Sequence, residues 1–368
     1  MRCTIDRDVL ADAVAWAART LPARPAIPVL AGMLIDAEDT GALTMSSFDY
    51  EASGQVTIEA TVTEPGRVLV PGRLLTDIVR SLSPQPVHIV TDGSETVLTC
   101  GSAEFGLLTM PAEDYPDLPK MPDAAGTVES DVLAAAVAQV VVASSRDDTL
   151  PMLTGVRVDI EGGTMRLACT DRYRIAAREL PWTPTRPDFS VAAVVPARTL
   201  ADTTRSLRSG TPTELAMAGT ADSLIGLTCG GRRMTTRLLD DQFIDYRSRL
   251  TADWAVRAQV SVAPFVEAIK RVALVAERTT PLRLAFSQGE VRIRAATGDA
   301  ARANEVLPAE LNGDDIDVAF NPQFLLDGLA GIGSDLVNLD FTAPSRPALL
   351  TGDTDDFRYL LMPIRLSG

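Results

Sequence analysis

The chain is poor in the residues that most often mark a catalytic or metal site. It has a single histidine, His88, and four cysteines, Cys3, Cys100, Cys169 and Cys229. The cysteines lie far apart and form no CxxC pair, so neither a zinc site nor a disulfide framework is expected. The histidine stands in the apolar run PVHIV, and a catalytic histidine needs a partner that orients it. We therefore expect structural roles for these side chains.

Long apolar runs are also missing. No unbroken apolar run approaches the ~20 residues that a membrane-spanning helix needs. The first ten residues, MRCTIDRDVL, lack the apolar core of a secretory signal peptide. A length of 368 residues with 46% hydrophobic residues suffices for full-sized cores and suggests two or three domains. We expect a globular protein of the cytoplasm.

Common catalytic motifs are absent as well. The sequence has no G-x-x-x-x-G-K-[ST] phosphate loop, no G-x-S-x-G elbow and no histidine-rich metal motif. The acidic run GDTDDF (352–357) lacks the glycine and the terminal glutamate of a calcium loop, and we interpret it as a solvated hairpin turn. GGRR (230–233) could touch phosphate but is also interpreted as a turn. We predict no enzymatic activity, no cofactor and no metal, and an enzyme is the main alternative from another class.

The charge is unbalanced: 34 basic and 49 acidic residues give a net charge of −15. This argues against nucleic acid as a partner, because nucleic-acid-binding surfaces are usually basic. Net charge is only a sum, however, and many acidic residues fall in turns while arginines recur on predicted helices. A solvated helix face is the simpler interpretation. If the same charges recur on related helices, they could form a basic surface that follows phosphates without reading bases.

A helical segment is repeated. VPGRLLTDIVRSL (70–82) returns as VPARTLADTTRSL (195–207) with eight identities in register, and a weaker copy is FNPQFLLDGLAGI (320–332). Pro71, Pro196 and Pro322 lie 125 and 126 residues apart, a period that suits a triplicated domain. Each proline is expected in the first turn of its helix, where no N–H is needed.

The surroundings of the repeated helix recur with it. Each copy is preceded by an apolar-periodic helix, beginning near Asp6, Glu129 and Ala263, and by strands predicted at 28–37, 151–160 and 281–288. After a turn, a second strand is predicted over 43–53, 165–176 and 291–304. Few helices and many strands indicate α+β domains built around antiparallel sheet. Proline-rich and irregular links at 116–126 and 248–258 place the domains at 1–118, 126–250 and 258–368.

The order and spacing of these motifs resemble a known family. ACTDRYRIAAREL (168–180), the repeated helix and YLLMPIRL (359–366), in a triplicated domain, are similar to the bacterial sliding clamp, the beta subunit of DNA polymerase III. SSRDDTLPMLTGVRVDI (144–160) resembles actinobacterial members. The resemblance covers essentially the whole chain. It implies three clamp domains, each with two helices packed on antiparallel sheet, that form a head-to-tail homodimeric ring.

The resemblance implies a non-catalytic processivity subunit of a DNA-directed DNA polymerase complex. Such a ring encircles double-stranded DNA irrespective of sequence, and topological retention needs only weak attraction, which is compatible with an acidic exterior. A clamp-like binding platform that no longer encircles DNA is the alternative. The DNA-binding residues are expected to be Arg24, Arg73, Arg80, Arg198, Arg205, Arg208, Lys270 and Arg278.

The resemblance also implies a pocket for linear peptides of the polymerase alpha subunit, the clamp loader and repair polymerases. An apolar slot edged by arginines can bury Leu or Phe anchors and bind an acidic flank. Without the resemblance, LLMPIRL is an ordinary terminal strand. The pocket is expected to contain Leu153, Thr170, Arg172, Tyr173, Arg174, Ile175, Ile244, Arg249, Met362, Pro363, Ile364, Arg365 and Leu366.

The sequence departs from the family pattern at the pocket rim. Many members have proline at the positions of Ile244 and Thr251 and a small or apolar residue at that of Arg249. We therefore hypothesise a divergent or second clamp with an altered peptide preference or inhibitor sensitivity. Asp171 is expected to order the turn beside the pocket.

The subunit contact of the family joins the first domain of one copy to the third domain of the next. By position, the residues of this contact are expected to be Phe105, Leu107 and Leu274. Packing in the core of their own domains is the alternative for these three side chains.

Overall fold

The computed structural model describes residues 1–217, 224–239, 243–276, 280–297 and 301–365, in which six α-helices and 26 β-strands occur. The first third contains β1 (Arg2–Ile5), α1 (Arg7–Ala17), β2 (Gly32–Ala37), β3 (Ala42–Phe48), β4 (Ala52–Glu59), β5 (Thr61–Glu64), β6 (Gly66–Pro71), α2 (Gly72–Ser81), β7 (Val87–Asp92), β8 (Glu95–Cys100) and β9 (Ala103–Leu108). The middle third contains β10 (Ala124–Glu129), α3 (Ser130–Val141), β11 (Gly155–Glu161), β12 (Thr164–Thr170), β13 (Arg174–Pro181), β14 (Thr183–Pro184), β15 (Ser190–Pro196), α4 (Ala197–Thr204), β16 (Pro212–Met217), β17 (Leu224–Cys229) and β18 (Arg232–Arg237). The last third contains β19 (Val256–Ser261), α5 (Val262–Ala273), β20 (Leu282–Ser287), β21 (Gly289–Thr297), β22 (Ala301–Asn312), β23 (Ile316–Phe320), α6 (Pro322–Gly331), β24 (Leu336–Phe341), β25 (Ala348–Thr351) and β26 (Phe357–Leu361).

The chain divides into two compact units. The first is Met1–Ala134, Trp182–Phe189 and Thr199–Leu238, and it holds a five-stranded sheet (β5-β1-β7-β8-β9) and a nine-stranded sheet (β14-β10-β16-β17-β18-β4-β3-β2-β6). The second is Ala135–Pro181, Ser190–Arg198 and Leu239–Gly368, and it holds a twelve-stranded sheet (β15-β11-β12-β13-β26-β25-β24-β19-β22-β21-β20-β23). The strands of the middle third are thus shared between the units. The domain limits 1–118, 126–250 and 258–368 follow the sequence repeat and stay a prediction.

The sequence repeat corresponds to a pattern of strand pairing that occurs three times in the structure. Strand β2 pairs with β3 and β6, β11 pairs with β12 and β15, and β20 pairs with β21 and β23, always antiparallel. Strands β6, β15 and β23 then run into α2, α4 and α6, the three copies of the repeated helix. The predicted triplication of helices on antiparallel sheet is therefore confirmed in the described residues.

The position of the prolines differs from the prediction. Pro71 and Pro196 are the last residues of β6 and β15, and only Pro322 lies in the first helical turn. There Asn321 caps α6, because its side chain accepts from the backbone N–H groups of Gln323 and Phe324. The fixed φ of proline also fits extended backbone, so the same residue can end a strand or begin a helix.

Each second predicted strand in fact covers parts of two antiparallel strands. The predicted segments 43–53 and 165–176 each contain a turn, between β3 and β4 and between β12 and β13. The segment 291–304 includes parts of β21 and β22, and its residues 298–300 lie outside the described residues. The turns place Tyr50 at φ 72° and Arg172 at φ 79°, a backbone conformation that non-glycine residues rarely adopt. Asp49 and Asp171 precede them and accept backbone N–H groups two and three residues on. The sequence pattern predicts continuous strands here because these turns contain no glycine or proline.

Two of the first predicted strands also begin later than expected. Residues Pro28–Ala31 and Pro151–Thr154 form short 3₁₀ turns, and strands β2 and β11 start at the glycines that follow. The first helices of each copy are confirmed as α1, α3 and α5. Asp6 caps α1 by accepting from the backbone N–H groups of Asp8 and Val9.

Helix α2 shows how the repeated segment orients its charges. Its buried side is formed by Leu75, Ile78 and Val79, while Arg73 and Arg80 are exposed. The apolar positions recur three and four residues apart, so one stripe of the helix faces the core and the arginines face outward. Fully burying each large apolar side chain stabilises the fold by roughly 1.5–3 kcal/mol.

Candidate functional site

The pairing of β13 with β26 brings the central motif and the C-terminal motif together. Arg174 lies opposite Leu361 and Ile175 opposite Leu360. Beyond the strand, the backbone N–H of Met362 donates to the carbonyl of Tyr173 at 2.9 Å. Residues nearly two hundred positions apart in sequence therefore form one surface.

A pocket of about 330 Å³ lies on this surface. Most of its walls are apolar, and the polar part consists of one threonine and three arginines. Pro347 and Leu360 were not predicted, although Leu360 belongs to the terminal motif; no sequence signal pointed to Pro347. We call the site the apolar pocket, and it is lined by Thr170, Arg172, Arg174, Ile175, Ile244, Arg249, Pro347, Leu360 and Met362.

The loop 243–250 forms both the rim and the support of the apolar pocket. Tyr246 and Leu250 are buried in a cluster with Ile175 and Leu360, and Ile244 packs against the same cluster. Two residues of the loop, Ile244 and Arg249, line the pocket itself. The shape of the pocket therefore depends on where this loop is held.

A hydrogen-bonded network holds that loop. The Tyr246 hydroxyl donates to Asp159 Oδ2 at 2.8 Å, and Arg247 donates to Asp159 at 3.3 Å and to Glu161 at 2.9 Å. Burial raises the pKa of Tyr246 to about 12, so the phenol remains a donor at neutral pH. Hydrogen bonds from Arg247 and Arg166 keep the pKa of Glu161 below its usual value, which keeps the carboxylate charged.

Asp171 orders the turn beside the pocket, as the sequence indicated. Its Oδ1 accepts from the backbone N–H groups of Tyr173 at 3.0 Å and Arg174 at 3.1 Å. Its Oδ2 accepts from Arg174 Nε at 2.9 Å. The turn is thus fixed with Arg172 in the left-handed backbone region and its side chain at the pocket.

Arg174 is a buried cation whose charge is already satisfied. It pairs with Asp171 and Asp327, hydrogen-bonds the Tyr359 hydroxyl at 3.2 Å and lies 4.2 Å from the centre of the Phe324 ring. Burial opposes the charged form, but Tyr359, Asp327 and Asp171 together raise the pKa of the guanidinium. Arg174 therefore forms a wall of the pocket, with little charge left for a ligand.

Arg172 and Arg249 differ from Arg174. Neither forms an ion pair with a carboxylate of the described residues, and both line the apolar pocket. Their guanidinium groups are therefore available to an acidic group bound at the rim. Arginine suits this task because its planar fork matches a carboxylate.

A second groove of about 640 Å³ adjoins the apolar pocket and shares Arg172 and Arg174 with it. Tyr173 lies here, 57% exposed, with its ring 6.3 Å from that of Phe324. The predicted residue Tyr173 therefore belongs to this adjoining groove and does not line the apolar pocket.

Several other predicted pocket residues lie elsewhere. Leu153 is buried in the 3₁₀ turn before β11 and does not line the pocket. Pro363, Ile364 and Arg365 follow β26 and do not line it either, because the backbone N–H of Ile364 donates to Ala319 of β23. Leu366 lies outside the described residues.

The predicted DNA-binding side chains that the structure describes are exposed to solvent. Some have intramolecular partners: Arg73 donates to the Pro22 carbonyl at 3.2 Å, Lys270 pairs with Glu267 at 2.9 Å, and Arg205 pairs with Asp202. Arg278 lies outside the described residues. The other seven are exposed: Arg24, Arg73, Arg80, Arg198, Arg205, Arg208 and Lys270.

The predicted dimer residues fall into two groups. Leu274 is 84% exposed directly after α5, and Phe105 is half-buried on β9. Leu107 is only 1% exposed, so its side chain packs in its own sheet, which was the alternative to an interface role. Its neighbour Leu108 was not predicted and is 73% exposed.

The four cysteines and the single histidine occupy structural positions in the fold. All four cysteines are buried and unpaired, and burial raises the pKa of Cys3 to about 11. His88 Nδ1 hydrogen-bonds Thr4 Oγ1 across β1 and β7 at 2.9 Å. Over the described ranges, no helix combines the length and apolar character needed to cross a membrane, and no cluster of three or more potential ligands is arranged for a metal ion.

Three family models match the chain in succession. They are described as the DNA polymerase III beta subunit N-terminal domain (residues 1–119), central domain (127–245) and C-terminal domain (250–365). These matches define a replication clamp built of three related domains.

Individual relatives agree with these models. The beta sliding clamp of Streptomyces coelicolor is 53% identical over 377 residues, which cover 100% of both chains. That of Micrococcus luteus is 50% identical over 84% of this chain and 100% of its own. The crystal structure of a Pseudomonas aeruginosa sliding clamp bound to griselimycin is 26% identical, covers 100% of both chains and has a TM-score of 0.93. The chain belongs to the bacterial beta sliding clamp family, whose members are non-catalytic processivity factors of DNA polymerase III.

Proposed function

We propose that two copies of this chain close head-to-tail around double-stranded DNA and tether DNA polymerase III and other partners through the apolar pocket. The observation that carries the proposal is the pairing of β13 with β26, which assembles the pocket from the two motifs that resemble the family. The domain limits 1–118, 126–250 and 258–368 are part of the proposal, and the family models that support three domains match 1–119, 127–245 and 250–365. The protein acts in the cytoplasm, where its DNA is.

The pocket is suited to a short peptide with apolar anchors. Ile175, Ile244, Leu360 and Met362 offer a water-excluding surface of the kind on which Leu or Phe anchors gain most of their binding energy. The clamp loader and repair polymerases are proposed to present such peptides in competition with the polymerase alpha subunit.

The arginines at the rim add a preference for an acidic flank. Arg172 and Arg249 have no carboxylate partner among the described residues, so a peptide carboxylate next to the anchor can pair with them. This is the proposed consequence of the departure from the family pattern at position 249, and it makes the chain a clamp with its own peptide preference.

Exposed basic residues on the helices provide the weak attraction to DNA that the proposed ring requires. Arg73 and Arg80 project from the outer face of α2, and Arg198 and Lys270 are exposed on α4 and α5. Phosphate contacts of this kind position DNA without specifying sequence. A ring that holds DNA by topology does not require them to be strong.

Primer extension on a long single-stranded circle tests the proposed function. With polymerase III, clamp loader and this clamp, products of thousands of nucleotides are expected from single binding events, and short products without it. Replacing Met362, which is 42% exposed, by aspartate should shorten the products sharply because a charge in the pocket excludes apolar anchors, while Arg186→Ala, an exposed substitution in the other compact unit, should not. Long products from the pocket variant would contradict tethering through this site.

A further inference from the structure

The strands β20, β21 and β22 have one face toward α5 and one face toward solvent. Glu305 of β22 pairs with Arg271 of α5, and Ile293 of β21, which is fully buried, lies opposite Glu305. These residues therefore mark the face that α5 covers. Because side chains alternate along a strand, Arg294 points to the other face, as does Arg283 of β20, and both are exposed.

Three arginines on the solvent face line one groove of about 640 Å³, which we call the arginine groove. Arg283 lies directly opposite Arg294 on the neighbouring strand. Arg302 of β22 lies opposite Ala296, two residues further along β21, so it is a diagonal neighbour of Arg294. The rest of the lining is threonine, asparagine, proline and alanine. The groove is thus basic and has room between its arginines.

The charges of the arginine groove are not compensated within the described chain. None of its three arginines forms an ion pair with a carboxylate there, whereas Arg292, on the same face of β21, pairs with Glu290 at 2.9 Å. Carboxylates are not scarce, since the chain has 49 acidic and 34 basic residues. Like charges directly opposite each other destabilise a sheet. Such a conflict between local structure and stability is typical of a functional site.

The groove is suited to an extended acidic peptide. Guanidinium groups bind carboxylates through two parallel hydrogen bonds. Alternate side chains of an extended peptide project to the same side roughly 7 Å apart, and diagonal neighbours on two strands are separated by a similar distance of roughly 7 Å. Acidic residues at alternate positions of a peptide can therefore meet Arg294 and Arg302 at the same time.

Nucleic acid fits the groove less well. Proteins that bind single strands combine a basic groove with aromatic side chains on which the bases stack, and no lining residue of the arginine groove is aromatic. Duplex DNA inside the proposed ring would lie on the side of the helices, where α5 carries the exposed Lys270. The arginine groove is on the opposite face of the sheet from α5.

We infer that the arginine groove binds an extended acidic segment of a partner protein, with carboxylates at alternate positions. This docking site is separate from the apolar pocket, because no residue lines both and the groove offers no slot for a Leu or Phe anchor. A partner that carries an anchored motif and an acidic segment on one chain would gain affinity from the second contact. The inference does not depend on the proposed ring.

Fluorescence anisotropy with two ten-residue peptides tests the site. One peptide has glutamate at three alternate positions and no Leu or Phe, and the other has glutamine at those positions. The native protein should bind only the glutamate peptide, more weakly as salt rises. Arg283→Ala with Arg294→Ala should weaken binding roughly tenfold, since each exposed ion pair contributes up to about fivefold. Arg292→Ala is the matched control and should change affinity less than twofold, because Glu290 already satisfies its charge.

Thermal unfolding distinguishes a lost contact from a misfolded variant. Removing two opposed like charges should leave the melting temperature of the double variant unchanged or raise it. Glutamine at both positions keeps much of the aliphatic stems and removes the charge, so it should lose binding to the same extent. Both substituted positions lie on β20 and β21, which have neighbours on both sides, so neither change alters an edge of the sheet.

Three results would overturn the inference. The first is a native protein that does not bind the glutamate peptide, or folded double variants that bind it as tightly as the native protein. The second is displacement of the glutamate peptide by an excess of a neutral peptide with Leu and Phe anchors, which would place it at the rim of the apolar pocket. The third is tighter binding of a single-stranded oligonucleotide of equal charge, which would assign the groove to nucleic acid.

Discussion

Arg172 is held in a backbone conformation that glycine adopts more readily, yet its side chain lies at the apolar pocket. Asp171 fixes the turn through two backbone hydrogen bonds and one to Arg174. Strain of this kind persists where the surroundings over-determine it and is concentrated at functional sites. We interpret Arg172 as a residue kept for its guanidinium at a cost in stability.

Substitutions of Arg172 separate the contribution of its guanidinium to peptide binding from the cost of its backbone strain to stability. Arg172→Gly and Arg172→Ala both remove the guanidinium, so both should weaken binding of a peptide with an acidic flank to the same extent. Only glycine relieves the strain of φ 79°, so the glycine variant should be more stable than the alanine variant by about 1 kcal/mol. Urea unfolding and peptide titration measure the two quantities. An alanine variant at least as stable as the glycine variant would contradict the assignment of strain.

The rim residues Ile244 and Arg249 determine the proposed peptide preference. A variant carrying Ile244→Pro with Arg249→Val restores the family pattern at both positions. It should bind an acidic-flanked peptide roughly two- to fivefold more weakly at low salt, because an exposed ion pair contributes up to ~1 kcal/mol. The difference should shrink as salt screens the pair.

Fluorescence anisotropy with an acidic-flanked and a neutral-flanked peptide measures this preference. Arg186→Ala serves as the matched control, since it removes an exposed arginine from the other compact unit. Equal affinity of the acidic peptide for native protein and double variant would show that these two positions do not alter the preference.

At the scale of elements, the loop 243–250 links the pocket rim to a buried network. Tyr246 is 5% exposed, and its hydroxyl donates to Asp159, itself 6% exposed. The backbone N–H groups of Arg249 and Leu250 both donate to the Tyr246 carbonyl. The position of Arg249 at the pocket therefore depends on a tyrosine that does not line it.

Tyr246→Phe tests this dependence. Loss of a buried hydrogen bond to a charged acceptor should destabilise the protein by about 1.5–3 kcal/mol and leave Asp159 with fewer donors. Amide hydrogen exchange at residues 249 and 250 should accelerate, since the loop loses its anchor. Tyr173→Phe removes a hydroxyl from a side chain that is 57% exposed and should change neither property. Unchanged exchange in the Tyr246 variant would show that other contacts hold the loop.

The sequence predicted the helices and their repetition more accurately than it predicted the turns. Apolar spacing located α1, α3 and α5, and the repeated segment located α2, α4 and α6. The hairpins after β3 and β12 were missed because their turns use an aspartate and a strained residue, with no glycine or proline to signal them. Residue propensities describe local preferences, so they do not reveal a strained backbone conformation that tertiary contacts stabilise.

The site was predictable where it lies in recognisable motifs. The pairing of β13 with β26 joins residues that are distant in sequence, and only the family resemblance placed them together. Pro347 has no local signal, and the burial of Leu107 depends on which face of β9 meets the core. Such facts follow from three-dimensional packing, and local periodicity does not determine them.

At the scale of the whole molecule, the distribution of charge matters more than its sum. The chain carries a net charge of −15, yet exposed arginines project from α2 and exposed basic residues lie on α4 and α5. Strong phosphate binding would slow a sliding protein, whereas a ring keeps its DNA without it. Two copies of the repeated helix, α2 and α4, carry exposed arginines, whereas the third copy, α6, carries no basic residue.

Retention on DNA of different topology tests the ring most directly. The native clamp is loaded by a clamp loader onto a nicked circle, separated from free protein at high salt, and then followed after a restriction enzyme linearises the DNA. Topological encirclement predicts retention on the circle despite the salt and rapid release once a free end exists. Retention on linear DNA equal to that on the circle, or loss from the circle at high salt, would contradict encirclement and favour a platform that binds DNA from one side.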